Sequence, residues 1–275
     1  MVSQEQRRRQ LAREKFLRQQ QRRTEARRKA RLRNSVIASV LGVVVIGSVA
    51  LYTTGVLKND GKKTNTAADV TPSASPTSKA ADPCAKPAAG SVKKLSWKKE
   101  PAMTIDTSAS YAMKLATTCG DIDIALKTAA PHTVNSFDFL AGQGYFDHTK
   151  CHRLTTDGIF VLQCGDPQGT GMGGPGYTLP DENLKDKSLK GNTYPAGTVA
   201  MANTGQKHTG GSQFFLVYKD SPLPPTYTPF GTVSAAGMKV LQKIAAAGAQ
   251  AADPTSGNTA PNATVVINKA TVTKS

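Results

Sequence analysis

The chain has 275 residues, 39% of them hydrophobic, and a formal net charge of +16, which is enough apolar material for one or two folded domains. The charge is uneven: net +10 in residues 1–34, +5 in residues 58–98 and +1 in residues 99–275. A basic nucleic-acid-binding face is therefore excluded from the C-terminal part, and no nucleic-acid partner is expected.

Residues 1–34 read as a basic cytoplasmic helical segment, with Glu14–Arg18 and Glu25–Lys29 at i, i+4. Such a helix either lies on anionic lipid or serves as a solvated arm that fixes topology. Residues 35–57, SVIASVLGVVVIGSVALYTTGVL, hold 23 residues without a charge. At 1.5 Å per residue a helix there reaches about 35 Å, enough for a ~30 Å hydrocarbon core with some tilt. A buried core helix rarely runs this long without a polar face. A cleaved signal peptide has a shorter basic region and apolar core, and a small-residue cleavage site that is absent here. A retained single span is expected, and the basic flank RRTEARRKARLRN places the N-terminus in the cytoplasm and the C-terminal part outside.

Residues 58–98 are rich in Lys, Ala, Ser, Thr and Pro and read as a disordered tether, averaging about 35 Å end to end. An outside location permits disulfides among Cys84, Cys119, Cys151 and Cys164, with three pairings open and four free thiols the alternative. If residues 151–166 form a hairpin, Cys151 and Cys164 sit opposite each other. No zinc-ligand spacing is present; neither metal nor cofactor is expected.

The folded domain is expected over residues 99–275. YAMKLATT and DIDIAL alternate around Cys119–Gly120 as a hairpin. PHTVNSFDFLAGQG starts a helix at Pro131, repeats Val134, Phe137 and Leu140 at helical spacing, and stops at Gly142 or Gly144. AGTVAMAN, SQFFLVY and YTPFGTV read as strands, and TVVINKATV as the last one. GMKVLQKIAAAG reads as a second helix with Met238, Leu241 and Ile244 on one side. Many strands and two separated helices suggest a mainly β fold, a closed antiparallel barrel with its ends covered by helices.

By strand alternation Phe160 and Leu162 share one face and Val161 and Gln163 the other, Gln213 goes with Phe215, and Ala202 with Thr204. Arg153, Val161, Gln163, Gln213 and Phe215 on one outward face make a shallow apolar groove with a few hydrogen-bonding groups; an ordinary barrel surface is the plain alternative.

CHRLTTDGIFVLQCGD, followed by GTGMGGPGY, MANTG, GSQFFLV and FGTV, resembles the cyclophilin peptidyl-prolyl isomerases in order and spacing across residues 111–273. The resemblance implies an eight-stranded barrel with two helices and a groove that binds an X-Pro peptide and catalyses its cis/trans rotation; with the predicted span, the expected clients are unfolded or partly folded protein segments outside the cytoplasm, and a monomer is expected. It implies catalytic roles for Arg153, Phe160 and Gln163: Arg153 hydrogen-bonds the prolyl nitrogen side of the twisted bond. Phe160, Val161, Phe215 and Leu223 are implied to hold the proline ring. Gln163, Gln213 and the backbone of Ala202, Asn203 and Thr204 are implied to anchor the peptide, and Tyr227 falls where many relatives have histidine. Pro222 stands where relatives that bind cyclosporin tightly have tryptophan, Val161 replaces a more usual methionine, and the loops before Phe160 and at Gly205–Gly211 are each one residue longer. A non-catalytic proline-binding module or chaperone on the same scaffold is the alternative function.

Other motifs read as structural. GTGMGGPG lacks GK[ST] and a following helix. His152 points away from Arg153 on a strand. His132, His148 and His208 show no ligand spacing, and Ser212 lies outside a G-x-S-x-G pattern.

Overall fold

The computed structural model describes residues 81–253 and 258–274. The predicted basic helix, the apolar stretch 35–57 and the first part of the tether lie outside them. Among the described residues no helix is long and apolar enough to cross a membrane.

The elements in chain order are β1 (Tyr111–Thr117), β2 (Gly120–Leu126), α1 (Pro131–Gly142), β3 (Thr149–Lys150), β4 (Arg153–Leu154), β5 (Val161–Cys164), β6 (Thr193–Tyr194), β7 (Thr198–Met201), β8 (Phe214–Val217), β9 (Ser221–Pro222), β10 (Pro229–Val233), α2 (Ala235–Ala246) and β11 (Val266–Lys274). Nine strands form one antiparallel sheet in the order β3-β11-β1-β2-β10-β7-β8-β5-β4, and β6 pairs with β9 apart from it. The expected closed eight-stranded barrel is thus a curled nine-stranded sheet. Its end strands β3 and β4 do not ladder together; only Cys151 and His152 separate them in the chain. Lys150 and Arg153, three residues apart, lie within ~11 Å of each other, so the ribbon must curl back on itself.

The predicted elements form for the reasons read in the sequence. In the β1–β2 hairpin Thr117 pairs with Gly120, so the turn residues are Thr118 and Cys119. Met113, Leu115, Ile122 and Ile124 point inward, and Lys114 and Asp123 outward. In α1 Val134, Phe137 and Leu140 are fully buried. Its N-terminus has no cap of its own; instead the Glu182 carboxylate accepts from the N–H groups of His132 and Thr133 at 3.0 and 2.9 Å, where an anion suits the helix dipole. Ser234 caps α2, its hydroxyl accepting from Gly237 N at 3.0 Å. Leu241 and Ile244 are buried and Met238 partly so. A Cβ at Gly237 would meet Val233 of β10 at 2.8 Å and Ile122 of β2 at 3.2 Å, so glycine there lets α2 approach both strands. Phe137 joins Phe146, Phe214 and Phe230 at centroid distances of 5.2, 5.4 and 4.6 Å at the centre of the main core.

One expected boundary moves. Residues 81–98, assigned to the disordered tether, are laced onto the domain. Cys84 is bonded to Cys119, Ala85 N donates to Thr118 O at 2.8 Å, and the Asp82 carboxylate accepts from Thr264 N at 3.0 Å. The Trp97 ring lies edge-on to Phe139 at 5.1 Å, and the main-chain N–H of Trp97 donates to Pro175 O at 2.8 Å. Covalent and hydrogen bonds order a segment whose composition lacks the apolar residues to order itself. Of the three open pairings, Cys84–Cys119 and Cys151–Cys164 form.

Candidate functional site

The β4–β5 hairpin pairs Arg153 with Gln163 and Leu154 with Leu162, and β8 sets Phe215 opposite Gln163 on the other side of β5. Alternation sends Leu162, Phe214 and Leu216 into the main core and Val161 and Phe215 into a smaller apolar cluster. The result is a pocket of about 120 Å³ lined by Arg153, Ile159, Val161, Gln163, Ala202, Asn203, Phe215, Leu223 and Tyr227. The rims come from residues 202–203, past the end of β7, and from the segment after β9.

Arg153 is half-buried above this apolar floor. Its Nη1 donates to Gln163 Oε1 at 3.2 Å; Gln163 Nε2 donates to Gln213 Oε1 at 2.9 Å, and Gln213 Nε2 to Gly173 O at 2.9 Å. This amide chain sets the guanidinium's height without neutralising it. Among the described residues no ion pair includes Arg153. Burial lowers its pKa from the ordinary value, with Tyr227 acting in the opposite sense, yet an arginine stays charged in proteins.

A second cavity, about 660 Å³, adjoins the first and shares Gln163, Ala202 and Asn203; Gln213, Thr204 and the Gly171–Gly176 loop line it further. Asp166 shapes that loop. Its buried carboxylate accepts from the N–H groups of Gln168, Thr170 and Gly171 at 2.7, 2.9 and 2.6 Å. Burial pushes the Asp166 pKa up, but these backbone donors outweigh it and hold it below the usual value. A Cβ on Gly173 would strike the Asp166 carboxylate. Between the cavities, the main-chain N–H and C=O of Asn203 carry no hydrogen bond among the described residues.

Of the residues singled out in the sequence, Arg153, Val161, Gln163, Ala202, Asn203, Phe215, Leu223 and Tyr227 converge on the small pocket, and Gln213 and Thr204 on its neighbour. Phe160 does not join them. Its ring stacks edge-on with Tyr218 at 5.9 Å and carries Lys219 Nζ at 4.5 Å, the face opposite Val161 that alternation assigns. Ile159 lines the pocket in its stead. His152 is buried away from the pocket, and Ser212 bonds Tyr145 and Gly165 inside the protein. Ile159 and Asp166 were not singled out. Ile159 stands next to a turn-forming Asp-Gly pair that hides its direction, and Asp166 acts through backbone donors that no side-chain pattern reveals.

The family model for "Cyclophilin type peptidyl-prolyl cis-trans isomerase/CLD" matches residues 112–272. The chain is 50% identical over 149 residues to the "Probable peptidyl-prolyl cis-trans isomerase B" of Mycobacterium leprae, 51% of this chain and 50% of that protein. It is 46% identical over 107 residues to the "Peptidyl-prolyl cis-trans isomerase B" of Bacillus subtilis, 38% of this chain and 70% of that protein. The chain thus spans about half the length of the mycobacterial relatives it matches. A crystal structure of a Cryptosporidium parvum cyclophilin type peptidyl-prolyl cis-trans isomerase, in the presence of the dipeptide Ala-Pro, is 27% identical with a TM-score of 0.50, covering 59% of this chain and 98% of that one. A family match over more than half of the chain, on a curled antiparallel sheet with two helices, places this chain in the cyclophilin family.

Proposed function

We propose that the chain is a peptidyl-prolyl cis-trans isomerase. The observation that carries this is a half-buried guanidinium with no ion pair among the described residues, held by Gln163 over a small apolar pocket. The names of the relatives support it.

Rotation about an X-Pro bond must break amide resonance, a barrier of about 18–20 kcal/mol, and takes tens to hundreds of seconds unaided. No covalent bond to the protein is needed. The proline ring enters the pocket of Ile159, Val161, Phe215 and Leu223. The peptide before it lies along Asn203, whose unbonded main-chain groups can pair with an extended strand, and against Gln213. As the bond twists, the prolyl nitrogen loses its conjugation and gains a lone pair. A donor from Arg153 finds that lone pair only near the twisted geometry, so it stabilises the transition state more than either ground state.

Arg153→Ala should remove most turnover of an X-Pro peptide and leave the circular dichroism unchanged. Near wild-type turnover in that variant would sink this mechanism. Saturable peptide binding by the wild type with no rate enhancement would instead favour a proline-binding module.

We further propose that residues 35–57 anchor the chain in the cell membrane, with the N-terminus cytoplasmic and the isomerase domain outside. Support comes from the uncharged run, its basic flank and two formed disulfides, which suit an oxidising compartment. Carbonate-washed membranes should retain the chain, and protease added to intact spheroplasts should digest the domain; release by carbonate, or full protection, counts against it.

A further inference from the structure

The pocket wall is backed by a cluster separate from the main core, and Tyr194 on β6 is fully buried in it. Tyr194 does not line the pocket, but it is joined to two residues that do. Its ring lies edge-on to Phe215 at 6.3 Å and to Tyr227 at 6.2 Å. Its hydroxyl donates to Tyr227 O at 2.7 Å and accepts from Tyr227 N at 3.1 Å. The β6–β9 ladder, extended by Leu223 N donating to Asn192 O at 2.8 Å, ties the same short segment to Leu223.

Phenylalanine would fill this apolar site without the cost of burying a hydroxyl. The hydroxyl has a specific task because the wall it supports is poor in backbone bonds. The segment Leu223–Tyr227 contains Pro224 and Pro225, which have no N–H to donate; among the described residues Thr226 N bonds only within the segment, to Pro224 O at 2.7 Å, which leaves Leu223 N to Asn192 O as the backbone bond that ties it to another element. Its other side-chain tie is Asn203 Nδ2 donating to Thr226 O at 2.9 Å. Burial pushes the Tyr194 pKa up to about 12, so the hydroxyl remains a donor throughout the physiological range.

We propose that Tyr194 is a positioning residue for the isomerase: by clamping both main-chain groups of Tyr227 it fixes the Leu223–Tyr227 wall opposite Arg153 and thereby sets substrate affinity. This rests on the small pocket being the prolyl site. Without the clamp, binding must first order the wall, a cost that falls on affinity and not on the twisting step.

The test is Tyr194→Phe in the full chain, with kcat and KM measured separately on an X-Pro peptide. KM should rise about fivefold, which is ~1 kcal/mol at 1.4 kcal/mol per tenfold, with kcat within ~2-fold of wild type. Because the clamp holds main-chain groups that alanine retains, the same substitution in a Tyr227→Ala background should raise KM by a similar factor. An unchanged KM in the single variant, or no rise in the Tyr227→Ala background, overturns the proposal. Independently of any variant, the Tyr227 amide should be protected from hydrogen exchange in the wild-type chain; exchange at the open-chain rate overturns it too. Arg153→Ala, run alongside, separates the two failures: if it is inactive and Tyr194→Phe is not affected, only the role of Tyr194 falls.

Discussion

Ile159 and Phe160 are neighbours with different tasks, and alanine at each position tells them apart. Ile159→Ala deletes three side-chain carbons from the wall of the small pocket. At about 0.8 kcal/mol per buried methylene, full burial makes the loss ~2.4 kcal/mol; Ile159 is half-buried, so about 1.2 kcal/mol is expected. At 1.4 kcal/mol per tenfold, kcat/KM falls roughly sevenfold. Phe160→Ala removes a ring that contacts Tyr218 and Lys219 outside the pocket, so it should cost about 1–2 kcal/mol of stability and leave kcat/KM within ~2-fold. Both are read from catalysed relaxation of a cis-X-Pro peptide, with urea unfolding for stability. If Phe160→Ala loses activity as severely as Ile159→Ala, or more so, the assignment of the pocket wall is wrong.

His152 gives a pH prediction. It is 8% exposed, and neither ring nitrogen has a hydrogen-bond partner among the described residues. Burial lowers its pKa, Arg153 adds to that, and Asp166 opposes it. The folded state therefore binds this proton less readily than the unfolded chain. Its share of stability is whole above the unfolded value of ~6.5 and is lost as pH falls through that value toward the folded pKa. His152→Leu should flatten the melting temperature between pH 7 and pH 5; an unchanged slope would assign the acid sensitivity elsewhere. Replacing Cys84 and Cys119 with serine should lower stability by about 2–4 kcal/mol, because the unfolded chain regains the entropy of a closed loop. At a temperature where both proteins are folded, kcat/KM should not change, since neither cysteine touches the pocket; a large loss would tie the N-terminal strap to the chemistry.

Much of this fold is legible in the sequence wherever a pattern is local. The hairpin of Tyr111–Leu126 and the stripe of Val134, Phe137 and Leu140 need only alternation and a 3.6-residue period. Most of the pocket follows too, because Val161, Gln163, Gln213 and Phe215 lie on or beside short regular strands. Contacts made across long separations are hidden. Residues 82–97 hold to Thr118, Pro175 and Thr264, and nothing in their own composition announces those partners. Tyr194 sits in NTYPAG, too short a strand to show a face. Resemblance gave Phe160 a place on the proline ring that its own alternation denied, and the geometry follows the alternation.

The two ends of the main sheet have a consequence for any extended chain that approaches this domain. β3 and β4 are two residues each, and the outer side of β4 is partly occupied by Thr259 O, which accepts from Leu154 N at 2.7 Å. A client strand therefore finds almost no open ladder on which to nucleate aggregation. Extended peptide is left instead with the brief stretch at Asn203, long enough to hold a substrate and too short to template a growing sheet.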